Sequence, residues 1–234
     1  IISPINIFIE PKLSINKLGS YGGLTIVNSP QKTIFKYTNF IGEIQNYSGY
    51  RQDIFGMTGC VNLYNSNVEF KFVKFEDLTC EDSLNVIASE VTIENTRFIN
   101  SFADSLDMDF SSGTVLSSIF DNSGNDGVDI SGTNLSVRDS SFYSNGDKSI
   151  SVGEDSLFFG VNLKISGSPI GIAVKDKSTA EVLNTEFFDI SDSAISAFVK
   201  KAEYGPSKIT CIDCEFDSNI NIARSLNGST IIIQ

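Results

Sequence analysis

The chain has 234 residues, a formal net charge of −12 at pH 7, no His, no Trp and 18 Phe. This acidic balance excludes nucleic acid as a partner and disfavours an anionic membrane surface, because both would repel the chain. No apolar run reaches the length of a membrane span, so we expect no membrane insertion. The hydrophobic content of 41% is enough for a globular core.

Both ends of the chain are apolar. It begins with IISPINIFIE, and we expect residues 1–23 to form an N-terminal lead-in or cap. It stops in STIIIQ, which predicts a strand with nothing after it. The segment carries neither an initial Met nor a signal peptide, so we expect it to be part of a larger protein.

A unit of about 22 residues repeats along most of the chain. Two markers inside the unit recur in steps of 22 or 23 residues, and a fixed period kept by two markers predicts a repeat architecture. The first marker is the aromatic residue, once replaced by Ile, that follows the second strand of each unit: Phe75, Phe98, Phe120, Phe142, Ile165 and Phe187. The second marker is the first apolar residue of the next strand: Val61, Leu84, Leu106, Val128, Ile150, Ile172 and Ile195.

Within each unit, apolar and polar residues alternate by two, as in NLSVRDSSF, which predicts strands and excludes a helical repeat. A sandwich would show turns every 8–12 residues or so, without a fixed longer register. Short strands joined by Gly, Asn, Ser and Asp turns at this period are typical of a parallel β-helix, which is right-handed by the rule for parallel crossovers. We therefore predict an all-β, right-handed parallel β-helix that forms a single domain over residues 1–234.

Stacking of the coils turns equivalent residues into columns. The aromatic marker, extended to Phe216, predicts a ladder inside the coil. A second column, five residues earlier, is also expected to point inward: Phe70, Ile93, Val115, Val137, Val182 and Cys211. A third, mostly polar column predicts a bend at which Asx side chains can bond to the backbone: Phe72, Asn95, Ser117, Asp139, Asn184 and Asp213.

Two segments break the period, at residues 41–58 and 200–207. We expect both to be loops that project from one edge of the solenoid, where binding surfaces are often built. Apolar anchoring of the first loop, with Phe55, is the favoured interpretation of its aromatic residues. The other interpretation is stacking on sugars, and it makes three residues candidates for substrate binding: Tyr47, Tyr50 and Arg51.

The four cysteines fall into two pairs. Cys60 and Cys80 could bridge neighbouring coils, whereas Cys211 and Cys214 form a lone C-x-x-C. A zinc site would need a second such pair or His, so none is expected. Buried or free thiols are favoured over disulfides, and Cys211 is expected to be a core residue.

Five aspartates gather on one outward face when the coils are stacked. Asp107 lies one coil before Asp129, and like charges on neighbouring strands repel each other. Two alternatives remain open: a bound Ca²⁺, which prefers carboxylate oxygens, or a solvated acidic face. Lys148 continues one column of this face and Lys175 continues another. We call the face the acid strip, and define it by five residues: Asp104, Asp107, Asp109, Asp126 and Asp129.

The stretch 126–153 resembles the sequence motif of the pectate lyases. The matching segments are Asp126-Gly127-Val128-Asp129-Ile130, Gly132-Thr133, Leu135-Ser136-Val137, Phe142, Lys148 and Val152-Gly153. The resemblance implies a right-handed β-helix with Ca²⁺ as its cofactor.

The same resemblance implies roles for individual residues. Asp129, with Asp126, would be a metal ligand, and the preceding coil would supply further ligands from Asp107 and Asp109. Lys148 would contact the uronate of the substrate. The motif His is absent, and no Arg stands at the family's catalytic base position, where the nearest candidate is Lys175.

The repeat as a whole is similar to NosD-like periplasmic proteins and mannuronan epimerases, a group in which many members are scaffolds or binding surfaces. We therefore predict a secreted, periplasmic or cell-surface module that binds a polysaccharide, with or without uronates, or a protein partner, and does not catalyse a reaction. The alternative is a Ca²⁺-dependent lyase or C5-epimerase acting on acidic polysaccharide, with Lys148 and Lys175 as catalytic residues. An inverting glycosidase using carboxylates alone and a purely structural spacer are the remaining options.

Overall fold

The computed structural model describes residues 6–7, 13–16, 18, 23–42 and 57–234. Across these ranges the chain is an all-β, right-handed parallel solenoid of about nine turns, with about 23 residues per coil and no helix. The predicted fold class is therefore confirmed. Within the same ranges, no helix is long and apolar enough to cross a membrane.

The strands, numbered in chain order, form three parallel sheets that run along the solenoid. Sheet A has ten strands: β1 (Asn6–Ile7), β4 (Thr33–Lys36), β7 (Val68–Lys71), β10 (Glu90–Glu94), β13 (Ser112–Leu116), β16 (Asn134–Arg138), β19 (Leu157–Val161), β22 (Thr179–Leu183), β25 (Lys208–Ile212) and β28 (Thr230–Ile233). Sheet B has nine: β2 (Leu13–Asn16), β5 (Thr38–Ile41), β8 (Lys74–Glu76), β11 (Arg97–Ile99), β14 (Ile119–Asp121), β17 (Ser141–Tyr143), β20 (Lys164–Ser166), β23 (Glu186–Phe188) and β26 (Glu215–Phe216). Sheet C also has nine: β3 (Leu24–Val27), β6 (Gly59–Tyr64), β9 (Asp82–Ile87), β12 (Asp104–Asp109), β15 (Val128–Ser131), β18 (Lys148–Gly153), β21 (Ile170–Lys175), β24 (Ser193–Phe198) and β27 (Ala223–Ser225).

The predicted aromatic column lies inside the coil. Phe98, Phe120 and Phe142 are fully buried. The ring centroids of Phe98 and Phe120 lie 4.8 Å apart, and so do those of Phe120 and Phe142. This separation matches the spacing of neighbouring strands, so the rings stack coil on coil. The second inward column is also buried as predicted: Phe70, Ile93, Val115, Val137, Val182 and Cys211.

The third column turns the chain between sheets A and B. All its predicted members have φ between 47° and 54°, in the left-handed region: Phe72, Asn95, Ser117, Asp139, Asn184 and Asp213. The Asn side chains form a ladder between coils instead of bonding only to the backbone. Asn162 Nδ2 donates to Asp139 Oδ1 over 2.7 Å, and Asn184 Nδ2 donates to Asn162 Oδ1 over 2.7 Å. Asn and Asp tolerate this backbone conformation better than most residues, which explains their enrichment at the bend.

The four cysteines form two disulfides, so the favoured prediction of buried or free thiols is wrong. Cys60 is bonded to Cys80 with Cα atoms 5.4 Å apart, which is the bridge between neighbouring coils that the sequence left open. Cys211 is bonded to Cys214 with Cα atoms 6.0 Å apart, and the positive φ of Asp213 folds the chain between them. Cys211 is nevertheless a core residue, as predicted.

The two interruptions of the period fall at different places in the fold. Residues 200–207 lie between β24 and β25 at the edge of sheet C. Most of the 41–58 segment, including Phe55, lies outside the described residues. The three candidates for substrate binding in that segment also lie outside them: Tyr47, Tyr50 and Arg51.

Candidate functional site

The acid strip lies on the outward face of sheet C. Asp107 pairs in register with Asn85 on one side and with Asp129 on the other. Asp129 in turn pairs with Ser151. The predicted alignment of Asp107 with Asp129 is therefore present. The central column, as we call it, consists of Asn62, Asn85, Asp107, Asp129, Ser151, Ala173 and Ser196.

A second column lies toward sheet A. Asp109 pairs with Ser131, and Ser131 pairs with Gly153. The side chain of Lys175 lies across Gly153, with its Cε 3.4 Å from the position that a Cβ at residue 153 would occupy. Lys175 is only 6% exposed. The lysine side chain therefore packs against the backbone of Gly153.

A third column lies toward sheet B and is tied to the backbone. Asp104 Oδ1 accepts a hydrogen bond from the backbone N–H of Asp126 over 2.7 Å. Asp126 Oδ1 accepts one from the backbone N–H of Lys148 over 3.0 Å and also faces its Nζ at 3.4 Å. The Lys148 ammonium pairs with Asp147 as well. These two aspartates therefore each hold the coil that follows them.

The middle of this face is partly open. Asp104, Asp107, Asp109, Asp129 and Lys148 are partly exposed. Several other outward polar residues are buried: Asn62, Asp82, Asn85, Asp126, Ser151, Lys175 and Ser196. Thr25 and Arg224, which pair with Asn62 and Ser196 at the two ends of the central column, are again partly or fully exposed. Four of the five residues of the acid strip thus lie together in a partly open part of the face that is flanked by buried residues.

Burial changes the charge of the strip. It raises the pKa of Asp107 to about 9, with the carboxylates of Asp82 and Asp109 adding to the effect. Burial also raises the pKa of Asp104 to about 6, although the backbone N–H of Asp126 opposes it. At neutral pH, Asp107 is therefore a carboxylic acid that can donate a hydrogen bond as well as accept one.

Burial also raises the pKa values of the carboxyl groups in the column next to sheet B. Burial raises the pKa of Asp126 to about 7, against the attraction of Lys148. Burial also raises the pKa of Asp82 to about 7, against the hydrogen bond from Thr58. The pKa of Lys148 is raised: burial lowers it, but the carboxylates of Asp126 and Asp147 raise it by more.

The central column contains buried polar atoms without a hydrogen-bond partner. They are Asn85 Oδ1, Asp129 Oδ1 and Ser151 Oγ. Buried polar atoms are rarely left unpaired in folded proteins, so three of them in one column mark a place where a further partner is missing. Asn85, Asp82 and Ser151 were not singled out in the sequence, although each stands one coil away from a residue of the acid strip.

The carboxylates of the strip do not form a metal site. Across the part of the chain that the structure describes, no group of three or more His, Cys, Asp or Glu side chains is arranged to hold a metal ion. Asp104 and Asp126 already accept backbone N–H groups, which leaves Asp107, Asp109 and Asp129 facing out. The predicted calcium site therefore lacks a converged ligand set, and calcium binding stays a prediction.

The loop at residues 200–207 closes one end of the face. The backbone N–H groups of Lys200 and Lys201 both donate to Asp176 Oδ1 over 2.7 Å. The ammonium of Lys201 pairs with Glu154, which also accepts a hydrogen bond from Ser131. Charged groups thus anchor this loop beside the acid strip, as the prediction of an edge loop allows.

Three comparisons relate the chain to known proteins. The family model of the right-handed β-helix region matches residues 82–234. A search of curated proteins finds no match. The fold is similar to the crystal structure of the periplasmic alginate epimerase AlgG, with a TM-score of 0.59 and 9% identity. That likeness covers 94% of this chain and 58% of the epimerase, so the chain spans somewhat more than half of that protein's length.

Two further structures have lower TM-scores. The Agl-KA catalytic domain has a TM-score of 0.47 at 12% identity, covering 95% of this chain and 56% of that one. An alginate lyase from Paenibacillus sp. str. FPU-7 has a TM-score of 0.38 at 11% identity, covering 94% and 99%. The family match extends over more than half of the residues, and the chain belongs to the right-handed β-helix family.

Proposed function

We propose that the open part of the acid strip binds a polysaccharide and does not turn it over. One observation carries this proposal: four partly exposed carboxyl groups lie together on the outward face of β12 and β15, and the residues on either side of Asp107 and Asp129 in the central column, Asn85 and Ser151, are buried. A local cluster of donors and acceptors of this kind suits a hydroxyl-rich ligand.

The chemistry of the open residues suits hydroxyl groups. Asp107, with a pKa of about 9, can donate and accept, and Asp129 is partly exposed beside it. Sugar hydroxyls also donate and accept, so one glycan unit can bond to both side chains. Asp107 and Asp129 stand at paired positions of two neighbouring coils and so lie in line along the solenoid, which suits a linear polymer.

The state of the two lysines supports binding rather than catalysis. β-Elimination needs a neutral base that removes the C5 proton of a uronate while the C4–O bond breaks. Lys148 is held as a cation by Asp126 and Asp147, so it would contact a carboxylate but not remove a proton. Lys175, the candidate base, is 6% exposed and has little access to a sugar ring.

A lyase or C5-epimerase acting on acidic polysaccharide is the second candidate. It is favoured by one observation: Lys148, a partly exposed cation, pairs with Asp126 and Asp147 beside the acid strip. In this alternative Lys148 would orient the uronate carboxylate and Lys175 would remove the C5 proton. A protein partner at the same face is the remaining possibility, and it would leave all glycans unbound.

The two disulfides bear on location. Disulfides persist in oxidising compartments and are rare in reducing ones. Cys60–Cys80 and Cys211–Cys214 therefore support a secreted, periplasmic or cell-surface protein, as the sequence predicted.

Electrophoresis in gels that contain a glycan tests the proposal. We expect one of these to retard the protein: dextran, laminarin, xylan, alginate or polygalacturonate. The double variant Asp107→Asn, Asp129→Asn should lose most of the retardation. The matched control Glu90→Gln, Glu181→Gln replaces the same number of carboxyl groups by amides at exposed positions on sheet A and should keep the retardation.

Two activity assays separate the candidates. A lyase forms a C4–C5 double bond that absorbs in the near ultraviolet, and an epimerase exchanges the C5 proton with solvent deuterium. We expect neither signal on alginate or polygalacturonate, with or without Ca²⁺. Either signal, if lost in Lys148→Ala and Lys175→Ala variants that still fold, would replace binding with catalysis.

A further inference from the structure

Phe110 is an exposed aromatic residue at the rim of the acid strip. It follows Asp109 directly, at the corner between sheets C and A. Its side chain is 75% exposed, the largest exposed fraction among the large hydrophobic residues of the described ranges. Its φ of 50° lies in the left-handed region, which is unfavourable for a bulky side chain.

The equivalent corner in other coils has the same backbone conformation with different residues. One coil later the position is Gly132, with a φ of 59°, and one coil after that it is Glu154, with a φ of 41°. Asn28, Asn65 and Ala88 occupy it in earlier coils, with φ values of 51°, 46° and 49°. Small and polar residues therefore serve at this corner, and the fold does not require Phe at residue 110.

The other exposed aromatic corner gives a contrast. Phe72, 48% exposed and with a φ of 54°, stacks on Tyr37 with ring centroids 5.1 Å apart. The contact between the two rings stabilises that corner, although both rings are exposed. In the described part of the chain, no aromatic ring pairs with Phe110. An aromatic residue that is exposed in the left-handed conformation and has no ring partner points to a ligand.

The contacts of Phe110 place its ring at the edge of the acid strip. The backbone N–H of Phe110 donates to Ser131 O over 2.9 Å, which fixes the corner against β15. The ring leans over Gly132: a Cβ built at that residue would lie 2.8 Å from Phe110 Cδ1. Glycine therefore makes room for the ring, which extends the open face beyond Asp109 and Ser131.

We propose that Phe110 is the platform on which a pyranose ring of a neutral glycan packs while the carboxyl groups of the strip bind its hydroxyls. This inference rests on the proposed function. The face of an aromatic ring carries partial negative charge and attracts the C–H groups of a sugar ring. Asp109, the residue before Phe110, and the other carboxylates of the strip would repel a polyuronate, so a glycan without carboxylates fits this surface better.

Affinity electrophoresis with three single variants tests the platform. Against the neutral glycans dextran, laminarin and xylan, Phe110→Ala should weaken binding about tenfold for the glycan that retards the wild type. Phe110→Tyr keeps a ring and should bind within about twofold of the wild type. Phe72→Ala removes an exposed aromatic with the same backbone conformation at another corner and should leave binding unchanged.

The possible outcomes distinguish a failure of the Phe110 platform from a failure of the proposed glycan binding. If no glycan retards the wild type, the proposed function fails. If a neutral glycan retards the wild type and Phe110→Ala equally, the strip binds glycan but the platform is wrong. Retardation by alginate or polygalacturonate alone overturns the neutral class. Melting curves serve as the folding control, since Phe110→Ala should melt no lower than the wild type.

Discussion

Two columns of this solenoid obey the same register and have opposite consequences. Inside the coil, Phe98, Phe120 and Phe142 repeat one residue type, and the rings stack 4.8 Å apart. Outside, Asp107 and Asp129 also repeat one residue type at paired positions of neighbouring strands. Repetition removes apolar surface from water in the first case and brings carboxylates together in the second.

The difference distinguishes residues that stabilise the fold from residues that do not. A stacked Phe gains buried area and ring contact from each neighbour. A stacked Asp gains neither, and burial raises the pKa of Asp107 to about 9 because its charge is poorly solvated. An outward column of carboxylates therefore lowers stability at neutral pH, and we attribute it to ligand binding.

The interior column should give the largest effect of a single substitution. Phe120→Ala leaves a cavity between Phe98 and Phe142, so we expect a loss of about 3–5 kcal/mol in the free energy of unfolding. Urea denaturation measures it. Phe72→Ala, at an exposed ring stack, should cost about 1 kcal/mol or less. Equal losses at the two positions would remove the contrast between interior and corner aromatics.

The buried and partly buried carboxyl groups of sheet C should make the stability of the protein fall as pH rises. A carboxyl group whose pKa is higher in the folded state contributes stability that is complete below the unfolded pKa, near 4, and is lost as pH rises through the folded pKa. The folded values are about 6 for Asp104, about 7 for Asp82 and Asp126, and about 9 for Asp107. The melting temperature should therefore decrease between pH 5 and pH 9.

The variant Asp107→Asn measures the contribution of one of these carboxyl groups. The amide keeps an oxygen for Asn85 Nδ2, which donates to Asp107 over 3.0 Å, and removes the proton equilibrium. Since one pKa unit corresponds to about 1.4 kcal/mol, a shift from near 4 to about 9 sets an upper limit of about 7 kcal/mol on the gain at pH 9. Solvent screens the charge of this partly exposed group, so we expect a gain of about 2–4 kcal/mol at pH 9 and a smaller gain at pH 5. Glu181→Gln on sheet A is the control. A wild-type stability that rises with pH would contradict the pKa assignments.

Calcium should have a smaller effect. If Ca²⁺ binds the paired carboxylates of Asp107 and Asp129, ten times its dissociation constant adds about 1.4 kcal/mol to the stability of the native state. Calorimetric titration and melting with and without Ca²⁺ measure this. The Asp107→Asn, Asp129→Asn variant should not respond. A wild type unchanged in millimolar Ca²⁺ would leave the strip a solvated acidic face.

The smallest expected effect is a gain. Phe110→Gly relieves the left-handed conformation of a bulky residue, so we expect the free energy of unfolding to rise by about 1 kcal/mol. Thermal melting detects a change of this size. Loss of stability in this variant would mean that Phe110 packs in the fold, which would remove the reason to assign it to a ligand.

The fold was predictable because it depends on period. Residues such as Phe98 and Phe120 recur at 22-residue steps, and neighbouring strands in a solenoid must adopt that register. Inward columns, bends and the alignment of Asp107 with Asp129 follow from counting alone. Local contacts then fill each column without changing its position.

The site was only partly predictable, because burial depends on the surroundings of each column. Ser151 follows Asp129 by one 22-residue step, but the step does not tell that Ser151 is buried while Asp129 is partly exposed. The use of Asp104 and Asp126 as acceptors for the backbone of the next coil was also hidden. Cys60 and Cys80 show the same limit, since pairing depends on distance in space.

A crystal structure with an oligosaccharide of the glycan that retards the protein most strongly tests the central claim directly. We predict sugar density along the outward face of β12 and β15, in contact with Asp107 and Asp129 and with one ring against Phe110. Density confined to sheet A, to sheet B or to the ends of the solenoid would contradict the assignment of the acid strip as the binding surface.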